Sequence, residues 1–364
     1  MQTEIPCMLM RGGTSKGLYF LASDLPTDSC KVQEVLLAAM GSPDTRQIDG
    51  VGGAHPLTSK VAIVSKSTVE DADVDYLFMQ VSVDKPEVSA SQNCGNLLAG
   101  VGAFAIEMGL VEAGDGATNV RIRMINTGSI TVSRVITIAG KVEYEGDARI
   151  DGVPGTAAPV NLYFQDIAGS SCGALLPTGN AVDLIDGHSA TCIDNGMPVV
   201  ILDAKEFGKS GYETPDELES DKELKSVIES IRLKAGRMMN LGDVEKKTVP
   251  KMCLVAPARN GGHICTRNFI PHRVHEAIGV LGAVSIASAC IIADSVANNV
   301  STAELAAGTQ TIDVEHPTGF FTVEITSDIS PDGSVKIVRT ALLRTARKIM
   351  QGSVFIPSVV WNPK

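Results

Sequence analysis

Two runs of small and apolar residues stand out in a chain whose other ordered-looking segments are shorter and alternate between polar and apolar positions. The first run covers about residues 94–109, where Glu107 is the single charged residue, and it ends at the helix-stopping Gly109. The second run covers about residues 272–292 and carries no charge after Glu276. A helix that is apolar on nearly every side has to be buried. Each run therefore predicts a central helix enclosed by other elements.

Short segments before and after each run have the composition and alternation of β-strands. They are residues 7–11, 17–21, 61–65, 76–83, 120–126, 129–138, 141–144, 160–164, 199–202, 251–256, 263–269, 312–315, 320–326, 335–345 and 352–356. The two halves share this order of strands, apolar helix and strands, but they do not share an amino-acid sequence. The shared order predicts an α+β duplication with a cleft between the halves. We place the domains at 1–180 and 181–364, with the last strand as a candidate to return to the N-terminal domain.

Two further segments predict amphipathic helices. One covers residues 24–40, with Asp28 or Ser29 near its cap. The other begins at Thr214–Glu217, which places a proline at the first helical position and a glutamate at the third, and it is expected to stop near Gly242.

Composition narrows the classes of function. The chain has 364 residues and a net charge of -11, which argues against a nucleic-acid partner and against an anionic membrane surface. No segment reaches the ~18 apolar residues of a membrane span, and Met1–Pro6 lacks a signal-peptide pattern, so a cytoplasmic location is expected. The eight cysteines form no C-x-x-C pair and no zinc-binding spacing, so we expect free thiols, mostly in the core, and no metal.

Cys94 opens the first apolar run. Asn93 is a good helix N-cap, which would place Cys94 in the first turn, beside unpaired backbone N–H groups and the positive end of the helix dipole. That position favours a thiolate, and the neighbouring Gly95 and Asn96 make the segment suitable for holding an anion. The alternative is a small buried residue without chemistry, since a free cysteine is usually inert core.

The turn Gly12–Lys16 joins the first two predicted strands. Its glycines let the backbone approach a ligand closely, Thr14 and Ser15 offer hydroxyl and N–H donors, and Arg11 adds positive charge. The segment is not a phosphate-binding P-loop, because the order G-x-x-x-x-G-K-[ST] is absent. The alternative is an ordinary glycine hairpin with solvated ends.

Lys60 stands at the head of an apolar strand, directly after a glycine-rich loop, residues 49–59. Such a lysine is most often a surface residue whose amine reaches water. If the amine is instead enclosed, desolvation favours its neutral form, which can act as a base.

Two other segments contain residue types that occur in known catalytic or metal-binding motifs, but their context does not fit. Gly169–Gly173 fits G-x-S-x-G, but its flanks are loop-like, whereas a serine nucleophile needs a strand before it and a helix after it. His272 and His275 fit no metalloprotease motif, so neither motif predicts a site.

Several segments together resemble the PrpF-type isomerases. They are residues 11–17, 49–53, 58–61, 93–96, 151–155 and 316–319. The resemblance runs the whole length of the chain and implies the diaminopimelate-epimerase-like fold, in which two similar domains each curl an antiparallel or mixed sheet around a central helix. It also implies a cofactor-independent isomerase of small unsaturated di- or tricarboxylic acids, and a homodimer. The sequence of Met40–Asp44, followed by that of Ile48–Gly50, most resembles the oxalomesaconate branch of the family. That branch acts in aromatic (gallate or protocatechuate) catabolism.

By resemblance, Lys60 and Cys94 are the catalytic pair. The expected substrate-binding residues are Arg11, Thr14, Ser15, Ser59, Asn93, Gly95, Asn96, Met197 and Arg267. The two arginines are expected to pair with substrate carboxylates. The second apolar run, which we expect to become helical at about Pro271–Arg273, does not begin with a cysteine. This disfavours a racemase with two thiols and favours a lysine-based 1,3-proton shift, in which Lys60 or Cys94 returns the proton.

Three alternatives stay open at this point. In the first, the substrate is 2-methylaconitate or methylitaconate in place of 4-oxalomesaconate, and the reaction is either a keto–enol change or the migration of a carbon–carbon double bond. A non-catalytic carboxylate-binding protein on the same scaffold is the second alternative. An amino-acid racemase is the third, and it requires a second base facing Cys94.

Overall fold

The computed structural model describes residues 1–90, 94–164, 167–270, 273–330 and 335–363. The chain forms two compact units. The first contains Met1–Tyr163 and Leu343–Lys364, and the second contains Phe164–Leu342. The division falls after residue 163, where the sequence suggested 180, and the end of the chain lies in the first unit.

Over its described residues, the first unit is a mixed sheet with two helices. Its elements are β1 (Gln2–Gly12), β2 (Ser15–Leu21), α1 (Ser29–Met40), β3 (Lys60–Lys66), β4 (Val74–Val81), β5 (Val88–Ser89), α2 (Gly95–Glu107), β6 (Gly116–Met124), β7 (Ile130–Ile138), β8 (Lys141–Val142) and β9 (Pro159–Phe164), with short 3₁₀ turns at Ala22–Asp24 and Pro56–Thr58. Its central strands pair antiparallel (β1–β2), parallel (β2–β3), antiparallel (β3–β4), parallel (β4–β6) and antiparallel (β6–β7).

The second unit repeats this scheme. Its elements are β10 (Asp183–Ile185), β11 (His188–Asp194), β12 (Pro198–Asp203), a 3₁₀ turn (Ala204–Phe207), α3 (Pro215–Ser220), α4 (Lys222–Met238), β13 (Lys251–Ala256), β14 (Ile264–Phe269), α5 (Val280–Cys290), α6 (Val296–Val300), β15 (Gly308–His316), β16 (Gly319–Ile329) and the first part of β17 (Val335–Pro357), whose residues from Leu343 onward belong to the first unit. Strands β11 to β16 pair antiparallel, parallel, antiparallel, parallel and antiparallel, in the same order as the first unit. The predicted duplication is therefore present in the topology.

The last strand, β17, is longer than expected. The sequence predicted two strands, 335–345 and 352–356, whereas the chain stays extended for 23 residues. Its first part pairs with β16 and its last part pairs with β1, from Gln2 opposite Pro357 to Gly12 opposite Ala346. The hydrogen-bonded ladder with β1 is continuous through Gly352, so the glycine does not end the strand.

Among the described residues, each unit has one central helix whose interior positions are all buried, as the two runs predicted. In α2, residues 97–106 are all buried, and in α5, residues 282–290 are all buried. Both N-termini differ from the prediction. The N-cap of α2 is Cys94, which has extended backbone angles (φ -131°, ψ 97°), so Cys94 precedes the first turn; Asn93 lies outside the described residues. Helix α5 begins at Val280 and not near residue 272.

The late start of α5 has a local cause. The chain after β14 continues to pair with that strand: Ile270 N–H donates to the Arg273 carbonyl at 2.7 Å, and His275 N–H donates to the Asn268 carbonyl at 2.8 Å. Backbone groups engaged in this way cannot enter a helix. Pro271 and His272, where the helix was expected to start, lie outside the described residues.

The amphipathic helices are capped by the residues that the sequence indicated. Asp28 caps α1, and Thr214 and Glu217 form a reciprocal capping box at α3. The predicted single helix after Thr214 is broken, because the Asp221 side chain accepts from Leu224 N–H and starts α4, which ends at Met238 and not near Gly242.

The cysteines are free, as expected, and seven of the eight are buried, with Cys30 exposed. Within the ranges that the structure covers, none of the helices has both the length and the apolar character needed to cross a membrane.

Candidate active site

Lys60 is the first residue of β3 and is enclosed. The residue is 7% exposed, its Nζ donates to Gln80 Oε1 at 2.9 Å, and it lies 5.0 Å from the centroid of the Phe78 ring. Strand β2 runs parallel to β3 with Gly17 opposite Lys60. A Cβ on Gly17 would lie 2.7 Å from the carbonyl carbon of Lys60, so only glycine allows the two backbones to approach this closely. Of the two interpretations of Lys60, the structure favours the enclosed amine.

Cys94 caps the central helix of the first unit and is 8% exposed. Its Sγ accepts from Leu97 N–H at 3.5 Å, and its carbonyl accepts from the Tyr76 hydroxyl at 3.3 Å. The Tyr19 hydroxyl donates to the carbonyl of Leu97, the third residue of α2, at 2.5 Å. Burial, and then the neighbouring Cys94, raises the pKa of both tyrosines, so both stay protonated donors that fix the start of α2.

The Gly12–Ser15 turn lies against the first turn of α2. Thr14 N–H donates to Asn96 Oδ1 at 3.5 Å. Gly13 has a positive φ of 52°, and a Cβ there would lie 2.9 Å from Asn96 Cγ, so glycine is needed for both reasons. The structure therefore brings the predicted donors of the turn next to the predicted donors of the helix start.

Ser15 adds an unsatisfied hydroxyl to this group. The residue is 1% exposed, and in the part of the chain that the structure describes its Oγ has no hydrogen-bond partner. A buried hydroxyl without a partner costs free energy, about 1–3 kcal/mol, and such groups in folded proteins need an explanation. A ligand oxygen would supply the missing partner.

Ser59, next to Lys60, is fully buried, and its Oγ accepts from Gln47 Nε2 at 2.7 Å. Gln47 also donates to Ser42 Oγ at 3.0 Å and accepts from Ala54 N–H at 2.8 Å, so it holds the glycine-rich loop together. Sequence reasoning missed Gln47 and Gln80. No sequence motif indicates a functional role for either glutamine, because their roles depend on strand register and on how the loop closes.

Arg11 is tied to its own unit. Its Nη1 donates to the carbonyls of Gly13 and Thr345, both at 2.9 Å, and to Thr345 Oγ1 at 3.0 Å. Burial lowers the pKa of Arg11, and nearby Arg347 lowers it further. These contacts fix the turn against β17, and its pairing with a substrate carboxylate stays a prediction.

Met197 and Arg267 lie in the second unit. The Met197 carbonyl accepts from Ser285 Oγ of α5 at 2.7 Å. Arg267 is buried in β14, where Nε donates to the Glu213 carbonyl at 2.6 Å and Nη1 donates to the Thr266 carbonyl at 2.8 Å. Their part in substrate binding stays a prediction.

Comparison with known proteins identifies curated relatives of similar length. A (4E)-oxalomesaconate Delta-isomerase from Novosphingobium sp. strain KA1 is 58% identical over 96% of this chain and 97% of its own. A 4-oxalomesaconate tautomerase from Pseudomonas putida strain KT2440 is 57% identical over 99% of this chain and 98% of its own.

Solved structures agree with the fold. A methylitaconate-delta-isomerase is 35% identical with a TM-score of 0.86, over 100% of this chain and 98% of that one. A hydroxyproline epimerase from Agrobacterium vitis, 12% identical, covers 98% and 97% of the two chains with a TM-score of 0.50, a likeness of fold alone. The predicted epimerase-like α+β fold is confirmed. Residues 2–357 match the family described as PrpF protein, and the chain therefore belongs to the PrpF family, as its motifs predicted.

Proposed function

We propose that this chain is an isomerase that moves a proton within a small unsaturated oxo- or tricarboxylic acid, with 4-oxalomesaconate as the substrate. The names of the two relatives above 55% identity support the substrate. The observation that carries the chemistry is the enclosed amine of Lys60, held at 2.9 Å by a neutral acceptor in the same unit as a cysteine at a helix N-cap.

The first step of the proposed reaction is proton removal. Neutral Lys60 takes a proton from a carbon next to a carbonyl or double bond, and the electron pair moves into the conjugated system. The charge that develops on the substrate oxygens needs hydrogen-bond donors. The first backbone N–H groups of a helix have no intrahelical acceptor, so those of Gly95 and Asn96 are suited to this task, together with the Ser15 hydroxyl.

The second step returns a proton to the other end of the three-carbon unit. Lys60, now an ammonium, can return the proton that it took, or Cys94 can supply one from its thiol. No redox change and no cofactor is needed, because one proton leaves and one proton returns.

Lysine replacement tests the proposal. Lys60→Met removes the base and should lower kcat by at least 100-fold, within the 10²–10⁴-fold range typical of a general base. Lys66→Met is the matched control, because Lys66 ends the same strand and its exposed amine donates to the Leu110 carbonyl. Wild-type turnover in a folded Lys60→Met variant refutes the lysine mechanism.

The substrate is tested directly. Ultraviolet absorbance reports the conversion of 4-oxalomesaconate, and proton NMR in D₂O reports which carbon exchanges. The two relatives carry different names, tautomerase and Delta-isomerase, and the position of the label distinguishes the two reactions. Methylitaconate is the second candidate, supported by the solved relative. Thermal stabilisation by the acids with no conversion, no deuterium uptake and no transfer of label between carbons would instead indicate a binding protein. The family resemblance also implies a homodimer, and light scattering in solution tests that expectation.

A further inference from the structure

Gln80 lies in β4 directly opposite Lys60 in the antiparallel pairing of β3 with β4. Its Oε1 accepts from Lys60 Nζ at 2.9 Å. Its Nε2 faces three backbone carbonyls: Ser59 O at 2.9 Å, Pro56 O at 3.1 Å and Val81 O at 3.3 Å. One side chain thus contacts both the amine of Lys60 and the loop that leads into it.

These contacts fix which way the amide points. A carbonyl oxygen can only accept a hydrogen bond, and a lysine amine that is protonated can only donate. A flipped amide would set its oxygen against the carbonyls and its NH₂ against the ammonium, which is unfavourable on both sides. The oxygen of Gln80 is therefore held towards Lys60 by the backbone of residues 56–59 and 81.

We propose that Gln80 is a positioning residue that holds the Lys60 amine for proton transfer through a neutral oxygen. The inference rests on the proposed role of Lys60 and deepens it. A neutral acceptor orients the amine and, unlike a carboxylate at the same place, leaves it free to alternate between ammonium and amine. A carboxylate within hydrogen-bond distance would favour the ammonium strongly. Glutamine is therefore the side chain that combines reach, orientation and charge neutrality here.

The test is the pH dependence of kcat/KM in two variants that should shift the rise of kcat/KM in opposite directions. A neutral base gives a rate that rises with pH until the amine has lost its proton. Gln80→Glu should move this rise to higher pH by about one unit or more, which is about tenfold lower kcat/KM at a pH below the rise. Gln80→Met removes the acceptor that favours the ammonium, so the rise should move to lower pH, while the plateau falls about 10- to 100-fold because the amine is no longer held.

Gln47→Met is the matched control. Gln47 holds the same loop through Ser59 Oγ but makes no hydrogen bond to Lys60 among the contacts of the described chain. A purely structural role for Gln80 predicts that Gln47→Met and Gln80→Met behave alike, with lower thermal stability and an unmoved pH rise. Each variant is first checked for cooperative melting, and if Gln80→Met does not fold, the direction of the shift in Gln80→Glu carries the test.

The outcomes separate this inference from the proposed function. Opposite shifts in the two Gln80 variants, with no shift in Gln47→Met, support the positioning role. A pH rise that stays in place in Gln80→Glu overturns it, even if Lys60→Met is inactive and the proposed function stands. An active Lys60→Met variant overturns the proposed function first, and with it any role of Gln80 through Lys60.

Discussion

Replacing Gly17 by alanine places one methyl group between the two strands that carry the site. The new Cβ would lie 2.7 Å from the carbonyl carbon of Lys60 and closer still to its oxygen. Ordinary van der Waals contact begins at 3.4 Å, so β2 and β3 must separate by roughly 0.7 Å or more. Both contacts are with backbone, so no side chain can turn aside to relieve them.

Two magnitudes follow from this displacement. Overpacking of a well-packed interior costs about 1–3 kcal/mol of folding free energy. Displacement of a reacting group by about 1 Å can cost 100-fold in rate. We therefore expect Gly17→Ala to melt several degrees lower and to lose roughly 100-fold in kcat, since Lys60 moves with its own backbone.

Gly352→Ala is the matched control for this prediction. Gly352 also lies in a strand of the first unit, opposite Cys7, but a Cβ there meets nothing within 4 Å. Alanine at a compatible glycine position stabilises a protein by about 0.4–1 kcal/mol. The two variants should thus shift the melting temperature in opposite directions, measured by calorimetry, with kcat measured in parallel. A Gly17→Ala variant that keeps both wild-type stability and wild-type kcat would refute the β2–β3 register at Lys60.

Two further predictions concern the second unit. Thr214→Ala removes the capping box of α3 and should cost about 1 kcal/mol in urea unfolding, with kcat unchanged. Burial, followed by nearby Arg232, lowers the pKa of Lys251 from 10.5 to about 8, so the unfolded chain binds more protons between these values. Lys251 should therefore make stability rise with pH from about 8 to 10.5. Lys251→Met should be more stable than wild type at pH 7 and should lack this contribution, as urea unfolding between pH 7 and 10.5 will report. An equal pH dependence in both proteins contradicts the prediction.

The sequence predicts the architecture well because burial leaves a strong pattern. The apolar runs around Leu98 and Ile286 identify the two central helices, and the alternating segments around them predict the duplication. The capping signals at Asp28 and Thr214 are local, so they are read correctly.

What the sequence leaves undecided depends on packing, on loop pairing and on strand register, which the residue types of one segment do not specify. Asn93 and Cys94 are both able to cap α2, and the choice follows from backbone angles that are set by packing. The segment before Val280 looks helical by composition, but it pairs with β14. Gln80 becomes part of the candidate site through a strand register that no single-sequence pattern specifies.

Because β1 pairs with the far end of β17, the first unit cannot be completed until the end of the chain has been synthesised. A ribosome that adds about 5–20 residues per second delivers Ala346, the partner of Gly12, tens of seconds after Gly12 itself has emerged. The unit that starts with the N-terminus therefore finishes last, after nearly all of the other unit has been synthesised. Throughout that interval β1 offers an unpaired edge, and such edges are prone to join foreign strands.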